Sequence, residues 1–337
     1  MKEFELIHEL SARSRPLEGL RRGIGDDAAV LEPGRFDLVT VDTMVEGVHF
    51  RLDYSTAWDV GWKLMATNLS DVAAMGGAPG PFFLAMSLGE RFGRAEVDAL
   101  LEGIEAAVTE LVPAGFDTGL AGGDTTRSPG PTVLSLTLMG ESPPTGAILR
   151  SGARPGDRVV LIGELGLAAA GLALLSSELP EEGLPDGAEA LREAHRRPRA
   201  QVLAGALLGL HGLASALIDV SDGCARDLGH LLAGSRVGAR LYTEHIPVRA
   251  SLRRLAALME RSVWSWVLSG GDDYALLATV SPDRMGQLRQ VAQEYGFEVA
   301  DIGEVRTEAE GLTLFDVSGR PMELESVGYE HQLGPQE

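Results

Sequence analysis

The sequence predicts an α/β protein with mixed α+β layers, arranged as two domains. Strand-like apolar runs alternate with amphipathic helical segments along the chain, and this alternation is typical of helices packed on sheets. The length of 337 residues suits two domains of ordinary size. A segment rich in Pro and Gly, Glu141–Asp157, separates two halves of similar composition. We therefore predict domains over 1–145 and 146–337.

Three segments carry the apolar spacing of amphipathic helices. The first has its stripe between Trp58 and Val72, and Thr56 with Asp59 forms a capping box before it. The second stripe runs from Val97 to Leu111. The third helix begins near Pro282 and carries its stripe as far as Tyr295.

Six apolar, partly β-branched runs have the length and composition of strands. They are Asp37–Val41, Thr132–Met139, Arg158–Ile162, Ala214–Val220, Tyr274–Val280 and Gly311–Phe315. Because these runs alternate with the helical segments, the sequence predicts mixed layers of sheet and helix.

Charge and cysteine content exclude several classes of protein. The formal charge is −20, with 29 basic and 49 acidic residues, which argues against a broad basic face for nucleic acid or anionic membrane. It is compatible with binding cations, or anionic substrates through cations. The one cysteine, Cys224, excludes an intrachain disulfide and a cysteine-ligated zinc or iron–sulfur site.

The terminal and uncharged segments predict a cytoplasmic protein without a membrane span. Residues 1–10 are charged and lack the apolar core of a signal peptide. The uncharged run Ala200–Ile218 approaches spanning length, but it contains Gln201 and His211 and three glycines. We predict a helix, a turn and a strand there.

Aspartates recur beside glycines and small residues, at the ends of apolar runs and on the first helix. They are Asp26, Asp27, Asp42, Asp71, Asp124, Asp219, Asp222, Asp272 and Asp273. Each one taken singly is equally well interpreted as a turn residue or a helix cap. Together they offer oxygen-only ligands of the kind that Mg²⁺ prefers, and the glycines would let phosphates approach backbone N–H groups. The pattern predicts a site for phosphates and several metal ions, built by both halves.

The familiar nucleotide-binding motifs are missing. A P-loop requires a lysine after its glycines, but the chain has only Lys2 and Lys63, and neither follows such a loop. The segment Arg158–Gly171 is a strand followed by glycines and a helix, without the G-x-G-x-x-G spacing of dinucleotide-binding folds. Tight strand–helix packing explains those glycines better than a dinucleotide does.

Several motifs, in order along nearly the whole chain, resemble those of thiamine-monophosphate kinases. They are GIGDDAAV (23–30), VDTMVEGVHF (41–50), NLSDVAAMGG (68–77), AGGDTT (121–126), RSGARPGD (150–157), DVSDG (219–223), SGGDDYALL (269–277) and GYEH (328–331). VEGVHF combined with NLSDVAAMG is highly specific. The resemblance implies the fold of aminoimidazole ribonucleotide synthetase. In that fold an N-terminal ATP/Mg-binding domain forms a homodimer through its sheet, and a C-terminal αβ domain completes the active site.

The resemblance also implies an activity and a set of functional residues. The activity is in-line transfer of the terminal phosphoryl group of ATP onto thiamine monophosphate, assisted by several Mg²⁺ ions. The implied metal ligands are Asp27, Thr40, Asp42, Asp71, Asp124, Asp219 and Asp222, of which Asp42, Asp71 and Asp222 are catalytic. The implied ATP contacts are Gly123, Asp124, Arg150 and Ser221, and the implied thiamine-phosphate contacts are His49, Asp272 and Tyr329.

The sequence departs from the family at two positions. Asp272 stands where the family usually has Glu, and Gln332 follows His331 where an aromatic residue is common. His49 is equally typical of a structural hydrogen-bonding residue, and Arg150 of a surface arginine. Another ATP-using synthetase of the same fold remains open as an alternative, as does a dinucleotide-dependent oxidoreductase.

Overall fold

The computed structural model of the protein describes residues 17–22, 30–32, 34–322 and 328. The chain divides into two compact units. The first comprises Met1–Ala147 and Ala200–His211, and the second comprises Ile148–Arg199 and Gly212–Glu337. Each unit contains a sheet and helices. The predicted mixed α/β class is therefore confirmed.

The first unit is built on a four-stranded sheet. Its elements are β1 (Leu20–Arg22), β2 (Val30–Leu31), β3 (Leu38–Val45), α1 (Ala57–Ala74), β4 (Ala78–Leu88), α2 (Arg94–Leu111), β5 (Gly119–Arg127), β6 (Val133–Glu141) and α5 (Val202–His211). The strand order of the sheet is β3-β6-β4-β5. Strands β4 and β5 run parallel, whereas β6 is antiparallel to both of its neighbours. Strands β1 and β2 form a separate antiparallel pair.

The core of the first unit lies on one face of this sheet. Residues Leu134, Leu136 and Leu138 alternate along β6 and are fully buried in the cluster that includes the apolar faces of α1 and α2. The predicted capping box begins α1: the Thr56 hydroxyl accepts from the Asp59 N–H at 3.2 Å, and the Thr56 N–H donates to the Asp59 carboxylate at 2.9 Å.

The second unit is built on a seven-stranded sheet. Its elements are β7 (Arg158–Ile162), α3 (Leu167–Leu175), α4 (Ala188–Arg196), β8 (Ala216–Asp219), α6 (Cys224–Ser235), β9 (Val237–Tyr242), α7 (Ala250–Leu258), α8 (Val263–Ser269), β10 (Leu276–Val280), α9 (Met285–Tyr295), β11 (Val299–Thr307), β12 (Leu312–Phe315) and β13 (Pro321–Met322). The strand order is β13-β12-β9-β11-β7-β10-β8. Only the β12–β9 pair is parallel among these described strands.

All three predicted helices and all six predicted strands are present, with small differences at their ends. The strands that were not predicted are β1, β2, β4, β5, β9, β11 and β13. β4 begins with Ala78-Pro79-Gly80-Pro81, which breaks a strand pattern, and its pairing with β6 shifts register between Pro79 and Phe82 to accommodate these residues.

The uncharged run from residue 200 to 218 forms the predicted helix, turn and strand, here α5 and β8. Helix α5 belongs to the first unit, where a Cβ added at Gly205 would lie 2.3 Å from the Ala73 carbonyl oxygen of α1. The predicted division at residue 145 assigns α5 to the second domain, whereas the chain returns to the first unit over residues 200–211. No helix among the described residues is long and apolar enough to span a membrane.

Candidate functional site

In the first unit, three oxygen-bearing side chains meet where β3 faces α1. Thr40 and Asp42 alternate along β3, so both point to the sheet face that also carries the buried Met44. On α1, Asp71 receives a hydrogen bond from the Thr40 hydroxyl. All three polar side chains are half-buried. The arrangement offers a hydroxyl and two carboxylates along the junction of β3 and α1, with Thr40 hydrogen-bonded to Asp71.

Asp124 lies far from this group. The row of paired residues that starts at Asp42 continues through Leu136 and Leu84 to Gly123, the residue before Asp124. Three strand spacings of ~4.8 Å separate the ends of that row by about 14 Å. One Mg²⁺ binds its ligands at about 2.1 Å, so a single ion cannot contact both Asp42 and Asp124.

Two predictions about local structure are wrong in this unit. Asp42 does not end its strand, because β3 continues to Val45. The AGGDTT segment is not a turn at a strand end but lies within β5, and Asp124 is exposed there. The reason is that β5 pairs along its length with β4, and a Cβ at Gly123 would lie 2.0 Å from the Leu84 carbonyl oxygen. The close approach of the strands therefore requires this glycine whether or not it contacts ATP.

His49 stabilises the turn that follows β3. Its side-chain Nδ1 accepts a hydrogen bond from the backbone N–H of Val45 at 3.1 Å. The backbone N–H of His49 donates to the Val45 carbonyl at 2.9 Å. The bond at Nδ1 leaves the proton of the neutral imidazole on Nε2. The structural role considered for His49 is therefore present, and its contact with thiamine phosphate remains a prediction.

In the second unit, the DVSDG turn lies between β8 and α6. Asp219 is the last residue of β8 and is buried, whereas Ser221 and Asp222 are half-buried. The turn is held by Asp227 of α6, whose Oδ2 accepts the N–H groups of Ser221, Asp222 and Gly223 at 3.0 Å each. Asp227 was not predicted as a site residue. Its only sequence signal is an acidic residue in the first turn of a helix.

Burial raises the pKa values of two groups around this turn, Asp227 and Cys224. Burial raises the pKa of Asp227 to about 6, although the three backbone hydrogen bonds act in the opposite direction. Burial raises the pKa of the Cys224 thiol to about 12. Because a nucleophilic cysteine must ionise near neutral pH, Cys224 is not suited to covalent chemistry.

The SGGDDY loop packs directly on the DVSDG turn. The Asp272 N–H donates to the Ser221 carbonyl and the Tyr274 N–H donates to the Val220 carbonyl, both at 2.8 Å. A Cβ added at Gly271 would lie 2.3 Å from the Ser221 carbonyl oxygen, so only glycine fits there. The structure therefore brings Ser221, Asp222 and Asp272 together in one assembly of two loops.

Asp273 performs a different task from its neighbour Asp272. It is half-buried, and its carboxylate accepts the Gly166 N–H at 2.5 Å and the Ala168 N–H at 3.1 Å at the start of α3. Burial raises the pKa of Asp273 to about 8. A Cβ at Gly166 would lie 2.9 Å from the Val267 N, and one at Gly171 would lie 2.0 Å from the Leu191 O. These glycines serve close packing, as the sequence predicted.

Arg150 has a fixed backbone and an exposed side chain. Its carbonyl accepts a hydrogen bond from the Ser235 hydroxyl at 3.0 Å, and Ser235 in turn accepts the N–H groups of Gly152 and Ala153 at 3.1 Å each. The loop before β7 is thereby anchored to the end of α6. The contact of Arg150 with ATP stays a prediction.

Two predicted site residues, Asp27 and Tyr329, lie outside the described residues. Across the ranges that are described, no group of three or more His, Cys, Asp or Glu side chains is arranged to hold a metal ion. Mg²⁺ needs only one or two carboxylates, because waters and substrate phosphates complete its shell. The hydroxyl and carboxylates of Thr40, Asp42 and Asp71 fit that requirement.

Comparison with known proteins matches both halves of the chain. The AIR synthase related protein N-terminal domain matches residues 25–142, and the corresponding C-terminal domain matches residues 154–314. A thiamine-monophosphate kinase of Bacillus subtilis (strain 168) is 35% identical over 333 residues, covering 98% of this chain and 99% of the relative.

Solved structures agree with this similarity. The crystal structure of thiamine-monophosphate kinase from Stenotrophomonas maltophilia K279a has a TM-score of 0.80 and 36% identity, with 93% of this chain and 96% of that chain covered. The structure of AaThiL complexed with AMPPCP and TMP has a TM-score of 0.75 and 30% identity, with 98% of this chain and 97% of that chain covered.

Proposed function

The chain belongs to the thiamine-monophosphate kinase family, and from this premise we propose that it transfers the terminal phosphoryl group of ATP to thiamine monophosphate. The observation that carries the proposal is the 35% identity with a thiamine-monophosphate kinase over 98% of the chain. A solved relative is complexed with TMP and with AMPPCP, which is an ATP analogue. This complex supports the assignment of the two substrates. The oxygen-bearing groups in each unit supply the side chains that such a reaction requires.

The acceptor needs little activation. A phosphate monoester has a second pKa of about 6, so it is mostly a dianion at neutral pH, and its oxygen is already a nucleophile. That oxygen attacks the γ-phosphorus of ATP, a new P–O bond forms, and the bond from the γ-phosphorus to the β-phosphate oxygen breaks to release ADP. We propose direct transfer, without a phosphoenzyme.

The main barrier is repulsion between two polyanions. Unit charges about 4 Å apart interact by roughly 4 kcal/mol at an effective dielectric of 20, and several such charges meet here. Bound Mg²⁺ would neutralise this charge and align the two substrates. In the first unit Asp42 and Asp71 would hold it, with Thr40 orienting the Asp71 carboxylate through its hydrogen bond.

In the second unit, Asp219 and Asp222 would take the same role beside the loops that carry Ser221 and Asp272. Asp124 would serve a separate ion, because about three strand spacings of ~4.8 Å separate it from Asp42. The exposed guanidinium of Arg150 fits a phosphate of ATP, since its planar fork matches phosphate oxygens.

We propose that the chain forms a homodimer through the sheet of its first unit. Val39 and Val41 lie on the face of β3 opposite the core and are 63% and 61% exposed. Edge strands with apolar outward side chains favour association. Replacing Val41 with Glu should shift the sedimentation coefficient from that of a dimer to that of a monomer, whereas a monomeric wild type would contradict the dimer.

We also propose that the enzyme works in the cytoplasm. The reaction consumes ATP and requires Mg²⁺, and both are available in that compartment. Cell fractionation with an antibody against the chain would test this, and recovery of the protein outside the cytoplasmic fraction would contradict it.

The central experiment is incubation of the purified chain with ATP, Mg²⁺ and thiamine monophosphate, followed by chromatography. We expect thiamine diphosphate and ADP in equal amounts, with little product when EDTA is present or when thiamine replaces the monophosphate. Absence of thiamine diphosphate would reject the proposed function. Labelled protein after incubation with γ-labelled ATP alone would reject direct transfer.

A further inference from the structure

Two buried side chains approach the carboxylate of Asp272, and one of them is hydrogen-bonded to it. The Tyr274 hydroxyl donates a hydrogen bond to Asp272 Oδ1 at 3.0 Å. His195 of α4 places its Nδ1 3.9 Å from Asp272 Oδ2, which is too long for a hydrogen bond and within the range of an ion pair when the imidazole is protonated. The Tyr274 and His195 residues are each only 4% exposed, whereas the Asp272 side chain is 36% exposed. The carboxylate therefore reaches the surface while its supports remain in the interior.

The backbone beneath this carboxylate adopts an uncommon conformation. Asp272 has φ +65° and Tyr274 has φ +50°, which few residues other than glycine adopt. Such conformations persist where the surrounding structure enforces them. The two backbone hydrogen bonds to Val220 and Ser221 provide that enforcement. The loop thus directs both side chains at once, Asp272 outward and Tyr274 inward beneath it.

We propose that Tyr274 and His195 are positioning residues that orient the Asp272 carboxylate towards the organic part of thiamine monophosphate. This inference rests on the proposed function. Thiamine carries a positive charge on its thiazolium ring and N–H donors on its aminopyrimidine ring, and a fixed carboxylate suits both features. Asp272 has one methylene fewer than the Glu usual at this position, so its oxygens depend more on the loop and on these two supports for their direction.

If Tyr274 had a purely structural role, removing its hydroxyl would change the stability of the fold and not the binding of substrate. The aromatic ring of Tyr274 fills the interior, and phenylalanine retains that ring and its volume. The partner of the lost hydroxyl is a partly exposed carboxylate, which water can solvate when the hydroxyl is removed. Tyr274→Phe should therefore weaken substrate binding more than it weakens the fold.

The test compares steady-state constants for the two substrates. We expect Tyr274→Phe to raise the KM for thiamine monophosphate about ten-fold, the effect of losing one hydrogen bond to a charged group. His195→Gln removes only a longer-range contact and should raise this KM by about three-fold. The KM for ATP and kcat should stay within about two-fold of wild type. Tyr295→Phe is the matched control, because Tyr295 is exposed at the end of α9.

A double-mutant cycle with Asp272→Asn then separates positioning from packing. Once Asp272 has lost its charge, Tyr274→Phe should change the KM for thiamine monophosphate by less than about two-fold. Additive effects, an unchanged KM in Tyr274→Phe, or a parallel rise in both KM values with a lowered melting temperature would each overturn the proposal. A wild-type chain that makes no thiamine diphosphate would instead reject the proposed function, and this assignment with it.

Discussion

The acidic residues at the β3–α1 junction are held differently from those in the paired loops of the second unit. At the junction, Asp42 and Asp71 project from regular elements and are half-buried, and the Thr40 hydroxyl donates a hydrogen bond to Asp71. In the loops, Asp227 is buried and Asp273 is half-buried, and both accept backbone N–H groups. The same residue type presents a carboxylate in one region and stabilises the backbone in the other.

This difference means that activity and stability should respond separately to substitution. A half-buried carboxylate can lose its charge with little effect on folding, because water reaches it in both states. A buried carboxylate that satisfies several N–H groups cannot be removed without leaving those donors unpaired. The following substitutions test the distinction.

The largest effect is expected at the junction. Asp42→Asn and Asp71→Asn should each lower kcat/KM by about a thousand-fold or more, since each removes a charge that holds Mg²⁺. The free energy of unfolding should change by less than about 1 kcal/mol. Phosphoryl transfer assays and urea unfolding measure the two quantities, and Asp98→Asn on α2 is the control. Wild-type rates at low Mg²⁺ would remove these residues from the site.

The second effect is a loss of stability at the DVSDG turn. Asp227→Ala leaves three N–H groups without their acceptor and should lower the free energy of unfolding by about 3 kcal/mol. Asp227→Asn retains an acceptor oxygen and should cost about 1 kcal/mol. Urea denaturation compares the two variants with wild type. Equal midpoints for all three proteins would show that Asp227 does not hold the turn.

The third effect depends on pH. The pKa of Asp273 is about 8 in the folded protein, because of burial, against 3.8 as the ordinary value. Between those values the folded state binds a proton that the unfolded state lacks, so this group's contribution to stability is lost as pH rises through about 8. Asp273→Asn does not titrate. The free energy of unfolding of Asp273→Asn, relative to that of wild type, should therefore rise between pH 6 and 8, by at most about 1.4 kcal/mol per pH unit.

Unfolding measured in urea at pH 6, 7 and 8 gives this difference directly. Glu298→Gln, an exposed substitution in the second unit, controls for the pH dependence of the rest of the chain. A constant difference between Asp273→Asn and wild type over this range would contradict the protonation of Asp273.

The smallest effect concerns the hydrogen bond within the junction. Thr40→Val keeps the shape of the side chain and removes the donor to Asp71, so kcat/KM should fall about ten-fold. Thr43→Val is the matched control, because Thr43 lies on the opposite face of β3 and bonds to Ser135. A loss of similar size in both variants would indicate damage to the strand and not to the site.

Much of the fold could be predicted from local patterns. The stripe and capping box of α1, the run of β7 and the turn between α5 and β8 all depend on residues close in sequence. β5 was missed because a glycine-rich segment has little strand propensity, and only its pairing with β4 makes it a strand.

The family was also identified from sequence, because motifs such as NLSDVAAMGG and SGGDDYALL combine residue type with order along the chain. The individual roles of the residues in those motifs could not be assigned in the same way. Asp272 and Asp273 are adjacent and identical in type, but the first is hydrogen-bonded to a tyrosine hydroxyl and the second accepts backbone N–H groups at the start of α3.

The sequence by itself determined the local elements and the kinship of this protein, since periodicity, caps and motif order are properties of neighbouring residues. Only the tertiary structure decided which aspartates present their charge and which hold a loop, and that Asp124 lies away from Asp42. The physical reason is that burial, strand register and hydrogen bonds between distant segments decide these roles, and they exist only after the chain has folded.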